Sequence, residues 1–172
     1  MAKADANYEE EEIFAWYRQF SHTDVDVRFL PEPNAFRRVS DHEIFLLKER
    51  SRNPVPDIYL RFLSQVGAGY LQRDRHGRQT DVYPNCFMDP KQILELMSKT
   101  TGEWIEYPEF IDDDEIPFFD LGDAYVFTFS PKDTQDSAVW SPRKFEKISN
   151  SFVDFLVSLR EDIIFTKRVA KN

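Results

Sequence analysis

Two short clusters hold the residue types that could do acid-base chemistry. In "DLGD", the carboxylates of Asp120 and Asp123 flank Leu121 and Gly122, close enough to serve as a general acid and base. In "SDHE", Asp41, His42 and Glu43 stand side by side, the types that relay a proton. Neither cluster is accompanied by a nucleophile elbow, a phosphate loop or a nameable oxyanion donor. Each is therefore read first for what the local chain needs.

"DLGD" joins two strand-like runs, Ile116 to Phe119 and Ala124 to Phe129, and has the composition of a tight hairpin turn with Gly122 free to take a positive φ. The acids are turn residues. "VSDHEI" is a helix-start signature: Ser40 caps, Glu43 three residues on reaches back, and Val39 staples to Ile44. Gly67 and Gly69 follow a helix instead of opening one, which argues against a phosphate cradle. The run Asp112 to Glu115 lacks the alternate acids, central glycine and distal glutamate of a calcium loop. His22, His42, His76 and the lone Cys86 have no metal-ligand spacing, and one cysteine allows no internal disulfide. The expectation is no catalytic residue, no cofactor and no metal.

The elements around these clusters can be placed by period. A first helix starting near Asn7 carries Ile13, Trp16, Tyr17 and Phe20 on one face, with Glu9 to Glu12 at the positive end of its dipole. Residues 21–38 read as a connection, with room for a short strand at "VDVRF". The helix begun at Ser40 runs to about Arg50. The next has Pro56 in its first turn, presents Tyr59, Phe62, Leu63 and Val66, and stops at Gly67, while Gly69 keeps the exit loop permissive. Tyr70 to Gln72 and Thr80 to Tyr83 read as strands joined by the basic tip "RDRHGR", too small a patch for nucleic-acid binding. Asp89 caps and Pro90 opens a helix ending near Lys99, with Ile93, Leu94 and Met97 on its apolar stripe. Tyr125, Phe127 and Phe129 share one face of a strand covered on both sides; "SPKDTQDSA" is a turn and "AVW" a third strand. A closing helix, capped by Ser149 or Asn150, carries Phe152, Phe155, Leu156 and Leu159. Helices, then strands interrupted by one helix, then a closing helix make an α+β layout with a mostly antiparallel central sheet flanked by helices.

At 172 residues the chain fits one domain, and 16 Phe, 7 Tyr and 3 Trp supply its core. The division expected is an N-terminal helix and connecting segment over 1–35, a main domain over 36–162 and a basic tail over 163–172. The acidic start lacks the basic, then apolar, plan of a secretory signal, and no run approaches the roughly 18 apolar residues of a membrane span. A cytoplasmic setting is the expectation.

The net charge of −9 is concentrated in one window. Between Glu103 and Asp136 eleven acids face Lys132 alone, which leaves the rest of the chain at +1. This is either a solvated surface or a docking face for a basic partner; in both cases it repels a phosphate backbone, so no direct nucleic-acid contact is expected there.

Several phrases, in order, resemble the SUKH superfamily, the Smi/Knr-type fold of a fungal cell-wall assembly regulator and of many bacterial toxin-immunity proteins. "VSDHEIFLLKER" looks like the family's leading helix. "VPDIYLRFLSQVGAGYL" is similar to its "LP-x-x-Y-x-x-F-L" helix and glycine turn through Pro56, Tyr59, Phe62, Leu63, Gly67 and Gly69. "IPFFDLGDAYVFTF" resembles its hairpin, and "ISNSFVDFLVSL" its terminal helix through Ser151, Phe152, Phe155 and Leu156. The likeness covers about Phe36 to Arg160. It departs at Gly67-Ala68-Gly69, where the family has a glycine doublet, at the acidic, aromatic stretch 102–114, and over residues 1–35.

The resemblance implies a SUKH-like fold and a role in protein binding without catalysis: an immunity, antitoxin-like protein that neutralises a cognate toxin, often a nuclease, or alternatively a cytoplasmic regulator or scaffold. Combined with the charge pattern, the expected contact residues for a basic toxin domain are Trp104, Glu106, Tyr107, Glu109, Asp112, Asp113, Asp114, Asp120 and Asp123, aromatic anchors among acids. The competing reading makes Trp104 and Tyr107 core residues.

Overall fold

A computed structural model describes residues 2–22, 32–71, 85–99, 111–122, 125–130, 137–144 and 146–162. Among them lie five helices: α1 (Ala2–Arg18), α2 (Asp41–Arg50), α3 (Asp57–Gln65), α4 (Pro90–Ser98) and α5 (Phe152–Glu161). The strands are β1 (Ser21–His22), β2 (Ala35–Arg37), β3 (Ala68–Tyr70), β4 (Cys86–Phe87), β5 (Ile116–Gly122), β6 (Tyr125–Phe129), β7 (Val139–Trp140) and β8 (Lys147–Ser149). They form one sheet in sequence order, antiparallel throughout except for the parallel pair β1 and β2. This is the expected α+β architecture.

The register explains where the core sits. Phe36 pairs with Gly69, Gly69 with Phe87, Phe87 with Phe119 and Phe119 with Phe127, so one row of side chains crosses five strands on one face. Helices cover that row with rings of their own. Phe62 of α3 lies 4.8 Å from Phe87, Phe155 of α5 5.2 Å from Phe119, and Phe14 of α1 reaches Phe62 at 5.4 Å. Most of these pairs meet edge to face, the geometry that the ring quadrupole favours.

A bulge in β5 enlarges this core. Pro117 pairs with Thr128 and Phe119 with Phe127, which leaves Phe118 as the extra residue. Adjacent strand residues ordinarily point to opposite faces. Here Phe118 and Phe119 both reach Phe155, at 5.6 and 5.2 Å, and Phe118 also stacks on Phe129 at 4.1 Å.

Local signals set the helix starts. Ser40 Oγ accepts from the Glu43 amide while the Glu43 carboxylate accepts from the Ser40 amide, and Asp89 with Gln92 repeats the arrangement at α4. Strand β7 and the ends of α2 and α4 also lie where the sequence puts them, as does the start of the β5–β6 hairpin, although β5 runs on through Gly122 into the expected turn.

Several expectations need correction. α1 begins at Ala2, not near Asn7, and Phe14, which falls outside the expected stripe, is buried while Trp16 is half-buried. The supposed connection over 21–38 contains β1 and β2. Pro56 is the N-cap of α3 rather than part of its first turn. The closing helix is capped by Ser151, whose Oγ accepts from the Asp154 amide at 3.1 Å; Ser149 belongs to β8. Gly67 does take a positive φ of 113°, yet Gly69 is no loop residue: it sits in β3, where an added Cβ would lie 2.0 Å from the Ala35 carbonyl oxygen. The basic tip, the expected strand at Thr80 to Tyr83, the candidate strand at 25–29 and the tail 163–172 lie outside the described residues.

Two buried phenols tie the layers together. Tyr17 Oη donates to the Leu156 carbonyl at 2.9 Å, joining α1 to α5, and Tyr59 Oη donates to the carbonyls of Met88 and Phe118 at 2.9 and 3.2 Å. Burial pushes both phenols above their ordinary range, so each remains a donor at every physiological pH.

Candidate interaction surface

The contact residues singled out by sequence divide into three groups. Trp104, Glu106, Tyr107, Glu109 and Asp123 lie outside the described residues. Asp112, Asp113 and Asp114 form one turn that leads into β5, with Asp112 and Asp113 exposed and Asp114 half-buried. Asp120 stands apart from them, inside β5 and opposite Val126. It is four residues beyond Ile116, roughly 13 Å at the rise of a strand.

The expectation that Asp120 is a turn residue is corrected accordingly. Its Oδ1 accepts from the Gly122 amide at 2.7 Å, a local Asx-type bond that bends the strand end before the hairpin closes. Gly122 has φ 87°, the left-handed geometry expected of it.

Glu115 also leaves the surface set. Counted from sequence as one of the eleven acids, it is 1% exposed. Its Oε1 accepts from Thr128 Oγ1 at 2.9 Å, and its Oε2 accepts from the Asp112 and Arg143 amides at 2.7 and 3.0 Å. Burial outweighs these bonds and raises its pKa. One carboxylate thereby fastens the acidic turn to β6 and to the 3-10 turn Pro142–Lys144.

Further bonds fix the turn from the other side. Asn53 Nδ2, between α2 and α3, donates to the Asp113 carbonyl at 2.9 Å. Lys99, the left-handed C-cap of α4, donates through Nζ to Asp113 Oδ1 at 2.8 Å and holds that carboxyl below its usual range. Ile111 is buried beneath. The turn is an acidic projection whose backbone is held by Asn53 and Glu115 and whose Asp113 side chain is held by Lys99.

The second chemical cluster is accounted for by structure. Glu43 closes the cap of α2 and meets Arg37 of β2 through both oxygens, at 2.9 and 3.2 Å; Arg37 also reaches Asp89 at 3.5 Å. Arg37 thus bridges the acidic caps of α2 and α4. Asp41 and His42 are exposed on the first turn of α2. Among the described residues no three His, Cys, Asp or Glu converge to hold a metal ion, and Cys86 is buried as a free thiol. No described helix is long and apolar enough to cross a membrane.

Sequence reasoning did not find the groove between α2 and α3, about 430 Å³ in volume, whose rim carries Phe45. At 56% exposure Phe45 is the one large apolar side chain left in solvent among the described residues. The spacing Asp41, Ile44, Phe45, Lys48 was the available signal, a second helical stripe with an aromatic at its centre.

The sequence model described as SMI1 / KNR4 family (SUKH-1) matches residues 38–158. No curated protein matches the chain.

Proposed function

The chain belongs to the SMI1 / KNR4 family (SUKH-1), and on that premise we propose that it is an immunity, antitoxin-like protein of the cytoplasm that binds and neutralises a basic toxin domain. The coarser role, protein binding without catalysis, is the one the family suggests. The observation that carries the finer reading is the acidic turn: Asp112 and Asp113 project into solvent from a segment whose backbone is fixed by Glu115 and Asn53.

A rigid cluster of like charge costs little to order on binding and attracts an opposite charge before contact. The partner's lysines and arginines would take the place of solvent around the exposed parts of these carboxylates, Lys99 already holding Asp113 Oδ1. Trp104, Glu106, Tyr107, Glu109, Asp114, Asp120 and Asp123 complete the proposed contact set. A nuclease, whose own substrate is a polyanion, is the type of toxin whose basic cleft such a turn would occupy.

The test is a pull-down from the native host lysate with wild type and with the Asp112→Lys, Asp113→Lys, Asp114→Lys variant. One basic polypeptide held by wild type alone, and released as salt rises, supports the reading. Equal retention of several partners by both proteins would instead favour a cytoplasmic regulator or scaffold.

A further inference from the structure

We propose that the groove between α2 and α3 is a self-association surface, occupied by α2 of a second copy of this chain. This surface shares no residue with the acidic turn and does not rest on the toxin-binding reading.

Asp41, Ile44, Phe45 and Lys48 fall at i, i+3, i+4 and i+7 on α2, so they form a stripe along one helix face. On α3, Asp57, Leu60, Arg61 and Ser64 repeat that spacing along the other wall. Leu60 is buried and Ile44 half-buried, an apolar floor, while Phe45 stands exposed on the rim. Each copy therefore offers both a protruding ring and a recess to receive one. A two-fold interface needs this combination, because the same patch must serve as both halves.

Charge selects a second copy over other occupants. In an antiparallel pair of α2 helices, residues equidistant from the midpoint between 44 and 45 face each other. Ile44 then meets Phe45, and Asp41 meets Lys48, each charge about 5 Å along the axis from the centre. The two-fold axis makes both contacts twice. Asp41 and Lys48 are exposed, and neither forms an ion pair with another described residue. Arg61, by contrast, is held by Glu10 of α1 at 2.8 and 2.9 Å. The groove lining carries two acids and two bases, so it is neutral in a chain of net charge −9. No net like charge opposes the approach of a second copy here, as it would at the acidic window 103–136.

The test is the solution mass of the full chain, by sedimentation equilibrium or light scattering at roughly 100 μM, well above a micromolar dissociation constant. Wild type is expected at twice its 20.4 kDa. Phe45→Ser removes the ring, and Asp41→Lys or Lys48→Asp alone sets like charges opposite each other. Each should weaken the dimer at least about tenfold. The double reversal, Asp41→Lys with Lys48→Asp, restores opposite pairs and should recover the dimer. All three positions altered, Asp41, Phe45 and Lys48, carry exposed side chains, and far-ultraviolet circular dichroism checks that each variant remains folded. A wild type that stays at 20.4 kDa overturns the proposal and leaves the groove to a different protein. So does a dimer insensitive to Phe45→Ser, or a folded double reversal that is no more dimeric than its parents.

Discussion

Arg37 on β2 grips Glu43 on α2 with both terminal guanidinium nitrogens, at 2.9 and 3.2 Å, while the same carboxylate accepts from the Ser40 amide at 2.9 Å. A single acid thus closes a helix cap and docks that helix on the sheet. The pair is about one-third exposed on each side, which keeps its desolvation penalty small.

This arrangement gives stability a defined dependence on acid. Burial pulls the Glu43 pKa upward, but the bonds from Arg37 and Ser40 together prevail and hold it at about 2, against the usual 4.5. A depressed carboxyl stabilises the fold above its unfolded pKa and ceases to do so as pH falls through the folded one. Glu43→Gln keeps a side chain able to cap but gives up the charge. We expect it to destabilise by about 1 kcal/mol at neutral pH, a figure discounted for the partial exposure of the pair. Urea unfolding at stepped pH should show the difference from wild type narrowing between 4.5 and about 2. A constant difference across that window would mean that the ion pair contributes nothing.

Glu115 behaves in the opposite sense. Burial raises its pKa despite three hydrogen bonds, so its contribution to stability is full below the unfolded carboxyl pKa and is lost as pH rises through the higher folded value. Glu115→Gln keeps one oxygen to accept from the Asp112 and Arg143 amides and removes the charge, while its amide nitrogen donates to Thr128 Oγ1, which can accept as well as donate. It should gain on wild type as pH climbs from acid to neutral. Glu115→Ala orphans the Asp112 and Arg143 amides and the Thr128 hydroxyl, and a loss of about 3 kcal/mol or more is expected. Equal stability of the Gln and Ala variants at neutral pH would show that these bonds do not hold the acidic turn.

Gly69 predicts a steric effect. Its missing Cβ would lie 2.0 Å from the Ala35 carbonyl oxygen and 2.7 Å from Phe36 Cα, both rigid backbone of β2. Gly69→Ala must therefore push β2 from β3 and disturb the row from Phe36 to Phe127, a loss of about 3 kcal/mol or more. Chemical denaturation reads this directly. A variant within about 0.5 kcal/mol of wild type, the range of neutral surface changes, would refute the close approach of the two strands.

What the sequence made legible was local. Ser40 with Glu43, and Asp89 with Pro90, announce helix starts because each bond spans three residues or fewer, and the apolar spacing of α3 and α5 survives unchanged in the folded core. Strands of two or three residues, such as β1 and β2, are too short to display a period of two, so they read as connection. Phe14 fell outside the counted stripe because α1 buries a wider face, against both α3 and α5. Phe118 needs a bulge to share a core with Phe119, and the need is created by pairing partners on β6.

The candidate surface was legible as a charge window but not in its shape. Glu115 looks like its acidic neighbours in sequence; what buries it are donors from residues 128 and 143, which only the fold brings near. Asp120 likewise reads as part of a turn until the length of β5 is known. The exposed pair Asp112 and Asp113 is what remains projecting at the turn.

The most direct test of toxin binding through that turn is a matched-charge comparison of affinity. The basic polypeptide recovered with wild type is titrated against wild type, against the Asp112→Lys, Asp113→Lys, Asp114→Lys variant, and against a Glu9→Lys, Glu49→Lys, Glu161→Lys variant, whose three exposed acids lie elsewhere. Both variants change net charge equally. Binding through the acidic turn predicts at least about a tenfold loss for the first variant, or about 1.4 kcal/mol, with a much smaller loss for the second and a shallower salt dependence only in the first. Equal losses in both would show that total charge, and not the turn before β5, draws the partner in.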